Sequence, residues 1–324
     1  MLNFRSYPTV QKITIPEDVN VKNNSLYQAF YNLQNLTSVS IPNSITNISN
    51  MCFNCRKLVD SSTCSNNVVN MSNAYSNCYN LKGSPSCGSN VTNMSRTYNG
   101  CYNLTGSPVC GENVTNMSYT YYNCRNLTGN PACGNKVTDM TNAYRDCINL
   151  TGYSMCGEKV TSMSYAYHNC KNLTVGICGS SVTNMSHTYY NCTNLTNVYV
   201  YSSNVTNVRN SFALTNNSRQ LNIYVPSGSR TLTAMLNTTN RYTIVYNAIT
   251  WTNNGTCHYN TVRNIYIYPV SNVIETRKQQ ITSKLIDFDY TENNDGSYTI
   301  TGWKGTLNGV ASTECIIPES EFIH

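Results

Sequence analysis

Cysteine recurs in this chain at a fixed interval, and that interval constrains the fold more than any other feature. One family steps by 23 residues five times and then by 22; its members are Cys55, Cys78, Cys101, Cys124, Cys147, Cys170 and Cys192. A second family keeps the same step; its members are Cys64, Cys87, Cys110, Cys133, Cys156 and Cys178. A fixed step of about 20–50 residues is the signature of stacked repeats, so the chain is predicted to be a solenoid.

Other residue types keep the same register and predict the content of one coil. Val, Met, a small residue, Tyr and Leu each recur with the cysteines. From Met71 to Leu81 the apolar residues stand at i, i+3, i+4, i+7 and i+10, which is one face of a helix. Gly88 suits a turn with positive φ. Each coil is therefore predicted to hold a short strand, a turn and about two helical turns, and to bury its apolar face only by stacking.

The array extends past the cysteines, because Ile13–Ile15, Val39–Ile41 and Ile223–Val225 read as the same strand. Counting such strands predicts about ten coils of 22–23 residues, an α/β solenoid of strand–helix units. We expect the solenoid with its end caps to span residues 1–250. Within each coil, Tyr121 and its equivalents are predicted to face the core and Tyr122 and its equivalents the solvent.

The coil from Val137 to Leu150 reads VTDMTNAYRDCINL. It resembles the BspA-like leucine-rich repeats, whose coil is VT-x-I/M-x-x-x-A-F-x-x-C-x-x-L followed by a strand ending in IP. The resemblance covers about residues 10–230, and it implies a leucine-rich-repeat-like stack with a binding function. Two departures stand out, since Tyr replaces most of the Phe and a second Cys replaces the strand Ile. Family members resemble bacterial surface adhesins and proteins encoded by phages of gut bacteria.

Residues 251–324 do not continue the repeat columns of the array. Ile265–Tyr268 and Tyr298–Thr301 alternate as strands do, and Asn293–Gly296 is a hairpin signal between them. The segment is predicted to be a small β-rich domain that acts as a docking or oligomerisation module. The strands of the array also present a mainly apolar row of side chains on the side away from the core. Exposed apolar rows of this kind pack against another surface, and residues 251–324 are one candidate for it. The row consists of Ser86, Val109, Ala132, Met155, Ile177, Tyr199 and Tyr224.

The 16 cysteines invite disulfide, metal and core interpretations. Both families occupy columns that hold Leu, Ile or Val in neighbouring coils, so buried reduced thiols are the favoured interpretation. Disulfides between stacked cysteines and a metal site stay as alternatives. The metal alternative is weak, because Cys52–Cys55 is the only CxxC and lacks a second pair. The sequence thus predicts no metal and no cofactor.

Several function classes lack support in the composition. Charged residues make up 11 % of the chain and the net charge of +6 is scattered, whereas nucleic-acid binding needs a concentrated basic patch. No stretch reaches the ~18 apolar residues of a membrane span, and residues 1–20 have no secretory leader. No catalytic motif occurs, and the acidic residues are too sparse for paired carboxylates. We expect neither an enzyme, a nucleic-acid binder nor an inserted membrane protein.

What remains is the outward face of the repeats, where the residues vary from coil to coil. Three such columns are rich in Tyr, Arg, His and Asn, residue types that include those enriched at binding hot spots. They are interpreted either as plain solvated positions or as a ligand-binding stripe. The candidate residues are Tyr119, Tyr122, Arg125, Arg145, Tyr165, His168 and Lys171.

The sequence favours a non-enzymatic binding or assembly protein. The main hypothesis is a phage virion protein, such as a tail fibre, receptor-binding or decoration component, found in the virion. The alternative is a bacterial cell-surface adhesin. Expected partners are a host surface glycan or protein, other virion proteins and a second copy of the chain in a homo-oligomer.

Overall fold

The computed structural model describes residue 4 and the ranges 6–60, 64–131, 133–215, 218–239, 243–245, 250–284, 288–292, 298–303, 306–307 and 310–311. Regular strands lie at both ends of the repeat array and in the tail. They are β1 Lys12–Thr14, β2 Ser38–Ser40, β3 Gly152–Ser154, β4 Leu173–Cys178, β5 Asn197–Val200, β6 Leu221–Pro226, β7 Thr252–Asn253, β8 His258–Asn260, β9 Ile265–Val270, β10 Phe288–Glu292, β11 Tyr298–Trp303, β12 Thr306–Leu307 and β13 Val310–Ala311. The helices are α1 Arg230–Met235, α2 Val273–Lys284 and a 3-10 turn at Lys22–Asn24.

The largest sheet has seven strands in the order β3-β4-β5-β6-β9-β8-β7. Its first five strands are parallel, as predicted for stacked coils, and β8 and β7 close it with antiparallel pairing. This sheet combines strands from before residue 250 (β3 to β6) with strands from after it (β7 to β9). The domain boundary that the sequence predicts at residue 250 stays a prediction. In the tail, β10 and β11 pair antiparallel, while the hairpin signal Asn293–Gly296 between them lies outside the described residues.

Four coils in the middle of the array lack the predicted strand, so that expectation was wrong there. Around Cys64, Cys87, Cys110 and Cys133 the described backbone forms no regular strand. Pro85, Pro108 and Pro131 stand where three of these coils would form it. Proline has no N–H to donate to the ladder, whereas the coils that form β3, β4 and β5 have none at this place. A single parallel bridge per coil links these repeats instead, along a column from Ser25 to Asn207.

The predicted helix in each coil was also wrong, although its buried face was right. Between Met71 and Cys78 the backbone N–H groups alternate between two kinds of acceptor. Three donate to the carbonyl three residues earlier, and they belong to Ala74, Ser76 and Cys78. Four donate forward to the next coil over 2.7–3.0 Å, and the pairs are Met71 to Asn93, Asn73 to Ser95, Tyr75 to Thr97 and Asn77 to Asn99. The positive φ of Asn73 and Asn77 turns alternate groups forward, which a helix cannot do.

The core is built from the predicted columns. Met71, Ala74, Tyr75, Cys78 and Leu81 are all fully buried, as are their equivalents in the following coils. The helical spacing that predicted this face is shared by successive three-residue turns, so the same side chains point inward. The buried Tyr rings stack from Tyr75 to Tyr189 with centroids 5.4–5.7 Å apart.

The first cysteine column has a polar role within this core. Each thiol donates to the main-chain carbonyl of an aromatic-column residue in the preceding coil, over 2.9–3.1 Å. A Leu at this place would leave that buried carbonyl with one contact fewer. All 15 described cysteines are free thiols, and burial raises the pKa of Cys101 and of its neighbours in the column.

The buried tyrosine hydroxyls explain why Tyr replaces Phe. The hydroxyl of Tyr98 accepts the N–H of Ser86 at 3.0 Å and donates to its carbonyl at 2.7 Å. Tyr121 does the same with Val109. These hydroxyls satisfy backbone groups that proline has removed from the ladder. Phe returns to this column as Phe30 and Phe212, in coils that lie beside regular strands.

Gly88 does not adopt the positive φ expected from the sequence. Its φ lies outside the left-handed region, in contrast to that of Gly83, which is +80°. A Cβ at Gly88 would lie 2.3 Å from the carbonyl oxygen of Ser65, and one at Gly157 would lie 2.6 Å from that of Gly134. This glycine column is required by the close approach of one coil's backbone to the next.

A tail helix covers part of the outward strand row. Val273 of α2 packs in one apolar cluster with Tyr153, Val175, Ile177 and Tyr199. The hydroxyl of Tyr199 also bonds Gln280 of α2 at 2.6 Å. The segment after residue 251 thus contacts the array, as the apolar row suggested.

Replacing Tyr121 with Phe should lower the free energy of unfolding by about 1–2 kcal/mol, because both backbone groups of Val109 lose their partner. Tyr121→Ala, which also empties the slot, should cost about 3–5 kcal/mol. Tyr119→Phe is the matched control and should stay within about 0.5 kcal/mol, since the Tyr119 hydroxyl has no such bond. Guanidinium unfolding measures all three, and equal values for both Phe variants would contradict this role of the hydroxyl.

The buried thiols predict a loss of stability in alkali. Desolvation raises the pKa of Cys87 and Cys110 from 9.0 to about 12. The unfolded chain therefore binds fewer protons than the folded chain above pH 9, so stability is full below pH 9 and falls as the pH rises toward 12. Guanidinium midpoints measured between pH 7.5 and 11 should show this decline, with a shallower slope for Cys87→Ser/Cys110→Ser. A midpoint that stays constant to pH 11 would count against it.

Candidate binding surface

One outward column places bulky side chains on a left-handed backbone. Its residues have φ between 52° and 57° in successive coils. Asn, which tolerates this conformation, fills the position as Asn50, Asn73, Asn142 and Asn210. Gln28, Arg96, Tyr119, Tyr165 and His187 adopt the same φ in the other coils, at a cost of about 1–3 kcal/mol each. Asn would meet the needs of the backbone at each of these positions, and the last four of these residues share a further feature.

These side chains belong to a continuous set of stacked rings and guanidinium groups. We define the aromatic cluster as Arg96, Tyr119, Tyr122, Arg145, Tyr165, His168, His187 and Tyr190. Tyr165 stacks on His187 with centroids 4.3 Å apart, and His168 on Tyr190 at 4.5 Å. Because the rings stack along the solenoid axis, they cover one another's faces and turn their edges toward solvent. Every ring of the cluster is half-buried.

Arg145 lies at the centre of the aromatic cluster. Its guanidinium carbon is 5.6 Å from the ring centre of Tyr122 and 5.1 Å from that of Tyr165, within cation–π range. Its Nη1 donates to Oδ1 of Asn142 at 3.3 Å, and its Nε lies 3.6 Å from Oδ2 of Asp146. That Nε is buried and makes no hydrogen bond among the described residues. The ion pair with Asp146 holds the side chain in place.

The two histidines of the cluster are kept neutral. Burial and the nearby charge of Arg145 lower the pKa of His168 to about 4, and burial lowers that of His187. The Asn210 amide nitrogen lies 3.2 Å from His187 Nε2. Because an amide nitrogen only donates, Nε2 accepts and the ring proton is on Nδ1. The Nδ1 atoms of His168 and His187 are buried and lack a hydrogen-bond partner within the described residues.

The seven candidate residues do not form one surface. Five of them lie in the aromatic cluster, namely Tyr119, Tyr122, Arg145, Tyr165 and His168. Arg125 belongs to a different stack, where its guanidinium lies 5.7 Å from the ring centre of Tyr102. Lys171 is exposed and contacts no ring in the described part of the chain. Arg96, His187 and Tyr190 were missed, although each shares a repeat column with a chosen residue.

The described residues offer neither a metal site nor a membrane-spanning helix. They contain no group of three or more His, Cys, Asp or Glu side chains placed to hold a metal ion. No helix within them has the length and apolar character needed to cross a membrane.

Comparison with known proteins identifies the repeat. The family model of the BspA type leucine rich repeat region matches residues 3–128 and 115–234, with six copies. The chain belongs to this family. Among solved structures, the leucine-rich repeat chain is similar to a leucine rich cell surface protein from Faecalibacterium prausnitzii, with 21% sequence identity over 68% of this chain and 77% of that chain and a TM-score of 0.37. A search of the curated proteins found no match.

The neutral state of His168 can be tested directly in this leucine-rich repeat chain. Its imidazole should titrate near pH 4 by NMR. Arg145→Ala should raise this pKa, since it removes a positive charge and admits water to the ring. Lys159→Ala, a change of the same charge on an exposed residue of another column, should leave it unchanged. A titration midpoint near 6.5 in the parent chain would show that the cluster does not bury His168.

Proposed function

We propose that this leucine-rich repeat chain is a non-enzymatic adhesin that binds a partner surface through its aromatic cluster. The observation that carries the proposal is the backbone strain at Arg96, Tyr119, Tyr165 and His187. Strain that the fold does not need points to a selected function. The BspA type family supports a binding role of the adhesin kind, whereas no observation supports the main sequence hypothesis of a phage virion protein. We place the protein at a bacterial cell surface.

The geometry suits binding for two reasons. The rings and Arg145 are held by stacking and by the ion pair with Asp146, so little side-chain freedom is lost when a partner binds. The tyrosine hydroxyls of the cluster and the guanidinium group of the exposed Arg96 offer hydrogen-bond donors and acceptors. A partner that contacts these groups meets a surface whose side chains are already ordered. A glycan or protein of a host surface fits this description.

The remaining expectations are part of the same proposal. The stack is taken to have about ten coils, with residues 251–324 forming a module that docks the array to its own cell or to a second copy. The contact of α2 with Tyr199 supports a fixed position for at least the start of this module. The expectation that the chain does not bind nucleic acid rests on its scattered basic residues.

Replacing Tyr119 and Tyr165 with Asn separates binding from folding. Asn occupies this column with the same φ at Asn73 and Asn142, so the double variant should unfold at the same or a higher guanidinium concentration. Its binding to cultured epithelial cells, measured by flow cytometry with the labelled full chain, should fall at least about tenfold. Lys159→Ala is the control and should bind like the parent. Unchanged binding by the Tyr119→Asn/Tyr165→Asn chain would sink the proposal.

A further inference from the structure

A surface groove of about 580 Å³ lies away from the aromatic cluster, in the coils that lack a strand. Pro85 and Pro108 interrupt the sheet in these coils. The groove is lined by Val59, Asn80, Lys82, Asn103, Thr105 and Asn126. Two repeat columns supply these residues. One places an asparagine in each coil, and the other holds Val59, Lys82 and Thr105.

The lining is made of amide and hydroxyl groups. Asn103 donates its side-chain amide to Oδ1 of Asn80 over 3.4 Å. Within the described part of the chain, the side chains of Lys82, Thr105 and Asn126 make no hydrogen bond. An amide offers both donors and acceptors, and so do the hydroxyl groups of a sugar. Val59 is the one apolar lining residue.

A stack of two rings between two guanidinium groups stands next to this lining in sequence. We call it the rim stack, and its members are Arg56, Tyr79, Tyr102 and Arg125. The two rings are 4.9 Å apart, with Arg56 5.3 Å from the centre of Tyr79 and Arg125 5.7 Å from the centre of Tyr102. Tyr79, Tyr102 and Arg125 each directly precede a lining asparagine.

Both arginines of the rim stack are held in the same way. The Nε of Arg56 donates to Oδ1 of Asn54 at 3.0 Å, and that of Arg125 to Oδ1 of Asn123 at 2.8 Å. Neither guanidinium has an ion pair among the described residues. Their terminal nitrogens are therefore placed to meet an anion, for which a guanidinium provides paired N–H donors.

The groove and the rim stack carry positive charge only. Arg56, Lys82 and Arg125 give the groove and the rim stack three positive charges, and none of their members is acidic. Asp60, beside Val59, is an acid adjacent to a lining residue in sequence. Like-signed charges around a groove raise the local concentration of an oppositely charged ligand, so the ligand should carry negative charge.

We propose that this groove binds an acidic polysaccharide. Repeated amides in successive coils suit a polymer with repeated hydroxyls, and the three cations suit carboxylates along it. An acidic peptide fits less well, because peptide recognition uses a free sheet edge or pockets for apolar anchors and this lining supplies neither. The proposal does not depend on the aromatic cluster, since its members lie in neither the lining nor the rim stack.

Calorimetry of the full chain with oligogalacturonate tests the proposal. Lys82→Ala/Asn103→Ala should weaken binding at least about tenfold, the loss expected for one charged and one neutral hydrogen bond. Added salt should also weaken the binding of oligogalacturonate to the parent chain, because salt screens the attraction between opposite charges. The matched control is Lys159→Ala/Asn149→Ala, in which Asn149 continues the column of Asn103 outside the groove. This control should bind like the parent, as should Tyr119→Asn/Tyr165→Asn.

The proposal would be overturned by no binding of oligogalacturonate, by an equal loss in both the groove variant and its control, or by tighter binding of poly-glutamate than of the sugar. Maltooligosaccharide, which is neutral, should bind weakly, and equal affinity for it would refute the role of the cations. Loss of oligogalacturonate binding in Tyr119→Asn/Tyr165→Asn alone would refute the groove while leaving the adhesin role of the aromatic cluster standing.

Discussion

Forward hydrogen bonds between coils are the interaction on which the rest of the structure depends. In each coil every second N–H leaves its own turn and reaches the carbonyl of the next coil, as Asn73 does to Ser95. This alternation needs a left-handed residue at two places per coil. It also fixes the spacing of the bonded residues within each turn segment, while the rest of the coil takes up the difference between steps of 23 and 22 residues. As a consequence, successive coils are joined by one parallel bridge each, along the column from Ser25 to Asn207.

The buried columns could be predicted from the sequence, but the backbone that carries them could not. Apolar spacing at i, i+3, i+4 and i+7 is common to a helix and to successive three-residue turns, so it identifies Tyr75 and Cys78 as core without choosing between the two. The signal that separates them is the recurring Asn at positions such as Asn73 and Asn77, which favours positive φ. The loss of strands could likewise be read from Pro85. The role of Gly88 could not, because the close approach of Ser65 is visible only when coils are stacked.

The polar groups in the core follow from the same constraint. Where proline interrupts the ladder, a backbone N–H and carbonyl are left inside the stack, and leaving them unpaired would cost about 1–3 kcal/mol. The hydroxyl of Tyr98 reaches them at Ser86. The thiols of the first cysteine column satisfy a second set of buried backbone groups, since each donates a hydrogen bond to a main-chain carbonyl of the preceding coil. Tyr in place of Phe, and Cys in place of Leu, are hydrogen-bonding choices that keep the size and burial of an apolar residue.

The positions of the two candidate surfaces are also set by this backbone. The stripe was predictable as a set of outward columns, and five of its seven residues do lie together, but sequence position could not show that Arg125 joins the rim stack or that rings cover one another's faces. Tyr119, with its strained backbone, and Asn103, with its groove amide, stand in different columns of the repeat. All the coils that carry these columns share one pattern of forward hydrogen bonds. A substitution in the column of Asn103, or one in the column of Tyr119 that tolerates positive φ as Asn does, leaves the forward bonds intact. Such a stack can therefore change the side chains of one outward surface without moving the other, and the two proposed sites can differ in ligand chemistry within one array.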